Sequence, residues 1–278
     1  MKLHKDSVAL VTGAARGLGW GIARAFGTAG ARVCVTDIRD DELARCARDL
    51  AADGADFQTF RSDVADLAAC ESVVKKVVDR WGRVDVVVHN AIYMPLITFE
   101  ATTPEEWARQ LAVGIGGLFN CAYAVWEQMK AQGGGHIIGI ASGSSLRGYK
   151  QEIAYCTVKH GVEGFVKALS LEARPYNIAL NTIGPGARIK PTRMTWAEYD
   201  QALERLRASW ADPVELGKAW VWLGAQPPSR FSGYRFDAAR LVETIAREGD
   251  DFKFAAEKVT LYPEDFRARD EWYRNYAD

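Results

Sequence analysis

Short apolar runs rich in β-branched residues alternate with longer amphipathic stretches along most of the chain. This alternation predicts strands joined by helices, and several runs are apolar on both faces, as in a parallel sheet covered by helices on each side. The predicted strands are residues 8–12, 32–37, 57–61, 84–89, 136–141 and 178–183, with residues 234–237 as a short seventh strand. The predicted fold class is therefore α/β, with a doubly wound parallel sheet.

Capping residues predict where the longer helices begin and end. Asp66 is placed to cap a helix that runs to Gly82. Thr103 followed by Pro104 opens a helix that ends near Gly133. These signals predict one long helix before and one after the strand at residues 84–89 in the sequence.

The chain has no internal repeat or obvious linker, so we predict one domain over residues 1–238. Residues 187–211 are predicted to be a substrate-loop insertion within it, and residues 239–278 a C-terminal extension of the same domain. The extension carries many apolar side chains for a solvated tail, which predicts that it is ordered by contact with its own or a neighbouring subunit. These side chains are Phe252, Phe254, Leu261, Tyr262, Trp272 and Tyr273.

Composition narrows the function classes. The 278 residues carry 35 basic and 36 acidic side chains, so no strong positive field attracts nucleic acid or an anionic membrane. The early apolar runs are far too short for a membrane span or signal peptide. Five cysteines without a CxxC pair and four dispersed histidines favour reduced thiols in the cytoplasm and predict no metal site.

A glycine-rich turn follows the first predicted strand and opens a helix. Gly13, Gly17 and Gly19 allow a tight turn that brings backbone amides and a helix N-terminus to a pyrophosphate. Asp37 ends the next strand, where a carboxylate can accept hydrogen bonds from the adenosine ribose hydroxyls and repel a 2′-phosphate. This favours NAD as the cofactor. Arg16 and Arg39 leave NADP open, because either could reach a 2′-phosphate.

A phenol and an ammonium lie one helical turn apart in the second half of the chain. Tyr155 and Lys159 share a helix face, and Ser142 ends a strand thirteen residues before Tyr155. Alcohol oxidation needs a base, and an ammonium about 5 Å from a phenol favours phenolate by about 3 kcal/mol, or roughly two pKa units. We therefore expect Lys159 to lower the pKa of Tyr155, which acts as the base while Ser142 orients the substrate oxygen.

Taken together, these motifs resemble those of the short-chain dehydrogenase/reductase family over about residues 5–237. The resemblance implies a Rossmann fold, a nicotinamide dinucleotide, a small-molecule alcohol or carbonyl substrate, and a homotetramer or homodimer. It also implies that Lys159 grips the nicotinamide ribose. The cofactor-binding set it implies is Gly13, Arg16, Gly17, Leu18, Gly19, Asp37, Asp63, Val64, Asn90, Ala91, Tyr155, Lys159, Pro185 and Gly186.

Three positions depart from the family pattern. Gly114 stands where the family often has an asparagine that holds a proton-relay water, and close approach of helix or ligand backbone would account for the glycines around it. His89 replaces a usual asparagine and is expected to be buried and hydrogen-bonded rather than catalytic. Lys190 stands in place of a threonine that touches the nicotinamide carboxamide, with Thr192 as a shifted substitute.

The substrate remains open at this stage. Arg147, Arg188, Arg193 and Trp196 fall in loops expected to border the substrate, which favours either a solvated rim or a substrate with an apolar body and an anionic or hydroxyl-rich end. The leading hypothesis is an NAD-dependent oxidoreductase acting on a secondary alcohol or ketone. The alternatives are an NADP-dependent carbonyl reductase and a cofactor-binding protein with little or no turnover.

Overall fold

The computed structural model describes residue 3, residues 6–250 and residue 252. Its strands are β1 (Val8–Thr12), β2 (Arg32–Asp37), β3 (Phe57–Arg61), β4 (Val86–His89), β5 (Gly135–Ile140), β6 (Ile178–Gly184) and β7 (Arg235–Asp237). They form one parallel sheet in the order β3-β2-β1-β4-β5-β6-β7. The doubly wound α/β prediction is confirmed, with boundaries shifted by one or two residues in four strands.

Helices cover both faces of this sheet. They are α1 (Gly17–Thr28), α2 (Asp40–Ala52), α3 (Leu67–Trp81), α4 (Pro104–Leu111), α5 (Gly117–Ala131), α6 (Ile153–Ala173), α7 (Trp196–Gln201), α8 (Glu204–Arg207), α9 (Pro213–Gly224) and α10 (Ala238–Glu248). Alternate residues of β1 enter different apolar clusters: Val11 packs with α1 and α9, and Leu10 packs with α3, α5 and α6. Within the described ranges, every helix is too short or too polar to cross a bilayer.

The long helix predicted between Thr103 and Gly133 is interrupted. A π-helical turn, Ala112–Gly116, separates α4 from α5. A side chain on Gly114 would collide with Val158 of α6, and one on Gly117 would lie 2.7 Å from the ring of His89. The close approach inferred from the glycines is therefore present, and it is made by neighbouring side chains.

The insertion at residues 187–211 contains α7 and α8 and packs against the glycine-rich turn. The indole Nε1 of Trp196 donates to the carbonyl of Ala15 at 3.1 Å. At the other end of the chain, α10 buries Leu241, and Phe252 stacks on Trp222 of α9 with ring centroids 5.1 Å apart. The remaining part of the predicted ordered extension, residues 253–278, lies outside the described residues.

Candidate active site

A cleft of about 920 Å³ opens at the carboxyl ends of the strands. The strand order turns back between β1 and β4, which is the place where open parallel sheets bind ligands. Most of the predicted cofactor residues line this cleft, as do Ser142, Tyr155 and Lys159. Of the residues predicted to bind the cofactor, Gly19 does not line it.

The glycine-rich turn after β1 has the conformation that its sequence requires. Gly13 and Gly17 both have φ of +60°, a region that side chains rarely occupy. A Cβ on Gly13 would lie 2.5 Å from the Cα of Ala91, and one on Gly19 would collide with the amide of Asn90. Asn90 in turn donates to the carbonyl of Gly13 at 2.7 Å, so Gly19 and Asn90 act by holding the shape of the turn.

Asp37 lies buried at the end of β2, against the glycine-rich turn. Its Oδ2 accepts from the amide of Ala15 at 3.3 Å, and its Oδ1 accepts from the amides of Ile38 and Arg39 at 2.8 and 3.2 Å. These backbone donors stabilise the carboxylate and fix its direction. Nearby, Asp63 is exposed and Val64 is buried, and both line the same end of the cleft.

The guanidinium that competes with Asp37 in the choice of cofactor is already paired. Arg16 lies 3.1 Å from the carboxylate of Glu42, and both side chains are buried. Arg39 approaches the other oxygen of Glu42 at 3.8 Å. The positive charges next to Asp37 are thus partly neutralised by an acidic residue of α2.

The three predicted catalytic side chains meet at the other end of the cleft. Ser142 follows β5; its hydroxyl accepts from the amide of Ser144 at 3.1 Å and lies close enough to the phenol of Tyr155 to affect the pKa of that phenol. The Nζ of Lys159 lies 5.5 Å from the centre of the Tyr155 ring and donates to the carbonyl of Ile140 at 2.7 Å. A strand end and one turn of α6 therefore bring together residues separated by up to seventeen positions (142 to 159).

The expected lowering of the Tyr155 pKa is wrong. Burial raises the pKa of this phenol, the neighbouring hydroxyl of Ser142 lowers it in part, and the carboxylate of Glu152 raises it further. Burial also lowers the pKa of Lys159 to about 8, against the charge of Glu163. The ammonium of Lys159 is directed to the carbonyl of Ile140, and burial is the main cause of the raised pKa of the phenol.

A partly buried ion pair contacts the backbone of Ser142. Arg235 of β7 pairs with Glu163 of α6, and its second nitrogen donates to the carbonyl of Ser142 at 2.9 Å. Glu163 also accepts from the hydroxyl of Thr182 at 3.0 Å. Sequence analysis missed this group, although Glu163 lies one turn beyond Lys159, on the same helix face.

Comparison with known proteins agrees with this arrangement. A family model described as short chain dehydrogenase matches residues 7–202. The chain belongs to the short-chain dehydrogenase/reductase family. It is 33% identical to D-threitol dehydrogenase of Mycolicibacterium smegmatis over 232 residues, 81% of this chain and 88% of that protein.

Two further members of the family widen the comparison. A 3-alpha-(or 20-beta)-hydroxysteroid dehydrogenase of Mycobacterium tuberculosis is 35% identical over 229 residues, 82% of this chain and 86% of that protein. A metagenomic short-chain oxidoreductase solved in complex with NADP is 26% identical, with a TM-score of 0.70 over 82% of this chain and 94% of its own. The chain is thus an oxidoreductase of a family that uses nicotinamide cofactors.

The surroundings of Gly114, the residue expected at the place where the family often has asparagine, are closed by Val158 and Ile92. His89 is buried, and its Nε2 is hydrogen-bonded to the carbonyl of Gly114 at 2.8 Å, which confirms the prediction of a buried, hydrogen-bonded histidine. Its Nδ1 lies 3.3 Å from the hydroxyl of Thr12. Burial lowers the pKa of His89 to about 4, so the ring is neutral at ordinary pH.

The predicted substrate residues separate into two groups. Arg147, Arg188 and Arg193 line the cleft, whereas Trp196 does not line it and is buried against the glycine-rich turn. Lys190 and Thr192, the two candidates for the family's threonine, both line the cleft as well. Sequence analysis did not place Arg109 there, although its guanidinium lies 4.2 Å above the ring of Tyr93 at the cleft wall.

Proposed function

We propose that this oxidoreductase is an NAD-dependent dehydrogenase that oxidises a secondary alcohol, or reduces the ketone in the reverse direction. The observation that carries the proposal is the meeting of Ser142, Tyr155 and Lys159 at one end of a cleft whose other end holds the glycine-rich turn and Asp37. A dinucleotide bound along such a cleft supplies a hydride acceptor or donor next to the phenol.

The proton chemistry follows from the contacts of the three side chains. Tyr155 takes the proton of the substrate hydroxyl, and the hydroxyl of Ser142 holds the same oxygen in place. Lys159 supplies the positive charge that favours phenolate, and because it lines the cleft it would also hold the ribose hydroxyls of a bound nicotinamide. Arg235 fixes the backbone of Ser142 through the carbonyl and is therefore a positioning residue.

The choice of NAD over NADP is supported by the charges around β2. Asp37 presents a buried carboxylate to the cleft, and a 2′-phosphate beside it would meet electrostatic repulsion. Arg16, which could compensate, is occupied by Glu42. A relative solved with NADP makes the alternative cofactor a necessary comparison in any binding experiment.

For the substrate we propose an alcohol that carries an anionic or hydroxyl-rich end. Arg147, Arg188 and Arg193 line the cleft, and none of them has a carboxylate within ion-pair distance among the described residues. Guanidinium groups are well suited to carboxylate, phosphate or polyol oxygens. Relatives named for D-threitol and for hydroxysteroids show how widely substrates vary around the same chemistry.

The test is a screen of hydroxy acids, polyols and sterols with NAD, in which turnover is measured by the absorbance of the NADH formed. Tyr155→Phe is expected to lower turnover by several orders of magnitude and to leave NADH affinity within a few-fold, because only the proton acceptor is lost. Tyr176→Phe serves as the matched control, because this tyrosine is exposed and does not line the cleft. Retention of more than a tenth of the activity in Tyr155→Phe would refute the assignment of the base. Tight NADH binding with no turnover across the panel would favour the non-catalytic alternative.

We also propose that the chain assembles into a homodimer or homotetramer through α5. Phe119 and Tyr123 lie on this helix with 49% and 58% of their surface exposed, and their rings stack 5.8 Å apart. Stacked aromatic rings at a surface are typical of an interface. Light scattering should give a smaller species for Tyr123→Glu than for the unaltered protein, and an unchanged mass would refute this interface.

A further inference from the structure

Lys190 occupies an unusual place above the glycine-rich turn. It lies in the segment after β6, and its Nζ is 4.0 Å from the position that a Cβ on Gly17 would occupy. The ammonium donates to the carbonyl of Met194, four residues further on. Lys190 also lines the cleft, so the ammonium lies next to the N-terminus of α1, where backbone amides are free to bind an anion.

The segment that carries Lys190 is fastened to this turn. Trp196 donates its indole N–H to Ala15, and its ring packs edge-on against Trp20 of α1 at 5.0 Å. The guanidinium of Arg45 lies 4.2 Å from the same ring on the α2 side. Three elements of the cofactor half of the fold therefore hold residues 190–196 in position over the turn.

The charge of Lys190 is not balanced locally. Among the described residues, no carboxylate lies within 4.0 Å of its ammonium. Of the two carboxylates that raise its pKa from further away, Glu42 is paired with Arg16, and Glu198 accepts from the amide of Thr195. Its partner in the protein is a neutral carbonyl. A cation held by a neutral acceptor beside free backbone amides is suited to exchange that acceptor for a phosphate oxygen.

We propose that the ammonium of Lys190 binds the pyrophosphate of the dinucleotide, leaving the carbonyl of Met194 when the cofactor enters. The inference rests on the dinucleotide site of the proposed function and adds a side-chain ligand to it. The lysine that stands in place of the family's carboxamide-binding threonine would thus serve the phosphates in this chain, beside Gly17.

Binding by Lys190 makes cofactor affinity depend on pH. Burial first, and then the guanidinium of Arg16, lower the pKa of Lys190 to about 8 in the cofactor-free protein; Arg39 acts in the same direction, and Glu42 and Glu198 oppose it. A bound pyrophosphate raises this pKa, because it favours the charged form. The ammonium is present below pH 8 and is lost as the pH rises further, so affinity falls between pH 8 and the higher pKa of the complex.

The experiment is calorimetric titration of the protein with ADP at pH 7 and pH 9.5. ADP ends at the pyrophosphate and does not extend to Lys159, whose own pKa of about 8 would otherwise confuse the profile. We expect Lys190→Met to bind ADP about tenfold more weakly than the unaltered protein at pH 7, as for one charge-assisted hydrogen bond. At pH 9.5 the two proteins should converge.

Further variants and probes separate the possible outcomes. Lys190→Arg keeps its charge at both pH values, so its ADP affinity should be independent of pH, and Lys150→Met, at an exposed lysine outside the cleft, should behave as the unaltered protein. Equal ADP affinity of Lys190→Met and the unaltered protein at pH 7 would overturn the inference alone. A loss confined to adenosine 2′,5′-bisphosphate would overturn it by placing Lys190 at the ribose. Absence of ADP binding to the unaltered protein would overturn the dinucleotide site itself.

Discussion

The contact between Gly114 and Val158 predicts a steric limit at the position where the family often has asparagine. A Cβ on Gly114 would overlap one methyl of Val158, lie 3.0 Å from the other, and lie 3.2 Å from Ile92. Val158 is 1% exposed on α6, and a valine in a helix has a single favoured rotamer, so it cannot turn away. The helix preference for alanine, about 1 kcal/mol, is smaller than the cost of overpacking, about 1–3 kcal/mol.

We therefore expect Gly114→Ala to lower the free energy of unfolding by about 1 kcal/mol, or the melting temperature by roughly 2–4 °C. Val158→Ala should cost about 2 kcal/mol by itself, because it removes two buried methyl groups. The double variant should be no less stable than Val158→Ala, because the added methyl fills the space that the valine leaves. Urea unfolding of the four proteins measures this coupling.

Gly164→Ala is the matched control for that cycle. It lies on the exposed side of α6, and a Cβ there would meet no atom within 4 Å. Replacement by alanine should therefore stabilise the protein by about 0.5–1 kcal/mol. If Gly114→Ala were stabilising to the same extent, the overlap with Val158 would be refuted as the reason for glycine at this position. Gly114→Asn, a probe for proton relay, meets the same obstacle and should be made together with Val158→Ala.

Three more outcomes can be measured. Asp37→Ala should narrow the preference for NAD over NADP, and equal dissociation constants of the two cofactors with the unaltered protein would contradict the role of Asp37. Arg235→Met should lower the free energy of unfolding by about 3 kcal/mol, because it leaves Glu163 buried without its cation. The double variant Arg235→Met/Glu163→Gln should regain part of that loss. If urea unfolding showed that the losses of the two single variants add in the double variant, the pairing would be contradicted. The pKa of His89 is about 4 in the folded protein and 6.5 for an ordinary histidine. As the pH falls, the unfolded chain therefore binds the proton first, and the free energy of unfolding should fall by about 2 kcal/mol between pH 7.5 and 5. An equal loss in His89→Gln would contradict that source.

The parts of the site that follow from local spacing were predictable. Glycines at 13, 17 and 19 after a strand impose one kind of turn, and Tyr155 and Lys159 share a helix face by their separation alone. The meeting of Ser142 with Tyr155 needed only the order of strand and helix along the chain. In each case the contact spans a few residues or one connection of the parallel sheet, so the pattern in the sequence carries the geometry.

Contacts between distant segments were not predictable in the same way. The π-helical turn at Ala112–Gly116 contacts His89, twenty-five residues before Gly114, and Val158, forty-four residues after it. Nothing in the sequence pattern indicates that these residues are neighbours. Trp196, predicted to border the substrate, is directed instead to Ala15, 181 residues away. A tryptophan in a loop can pack against any apolar surface that also offers an acceptor for its N–H. Which surface it contacts depends on the tertiary structure and is not indicated by the local sequence.

Burial also explains why the expected shift of the Tyr155 pKa was wrong in direction. An ammonium about 5 Å from a phenol oxygen favours phenolate by about 3 kcal/mol at an effective dielectric near 20, and Lys159 lies 5.5 Å from the centre of the Tyr155 ring. Spacing along a helix predicts that attraction, but it carries no information on how deeply the pair is buried. Burial disfavours both charges, raising the pKa of Tyr155 and lowering that of Lys159 to about 8. The raised pKa keeps the phenol of Tyr155 protonated at neutral pH, so the positive charge of Lys159 has to act against burial to populate the phenolate.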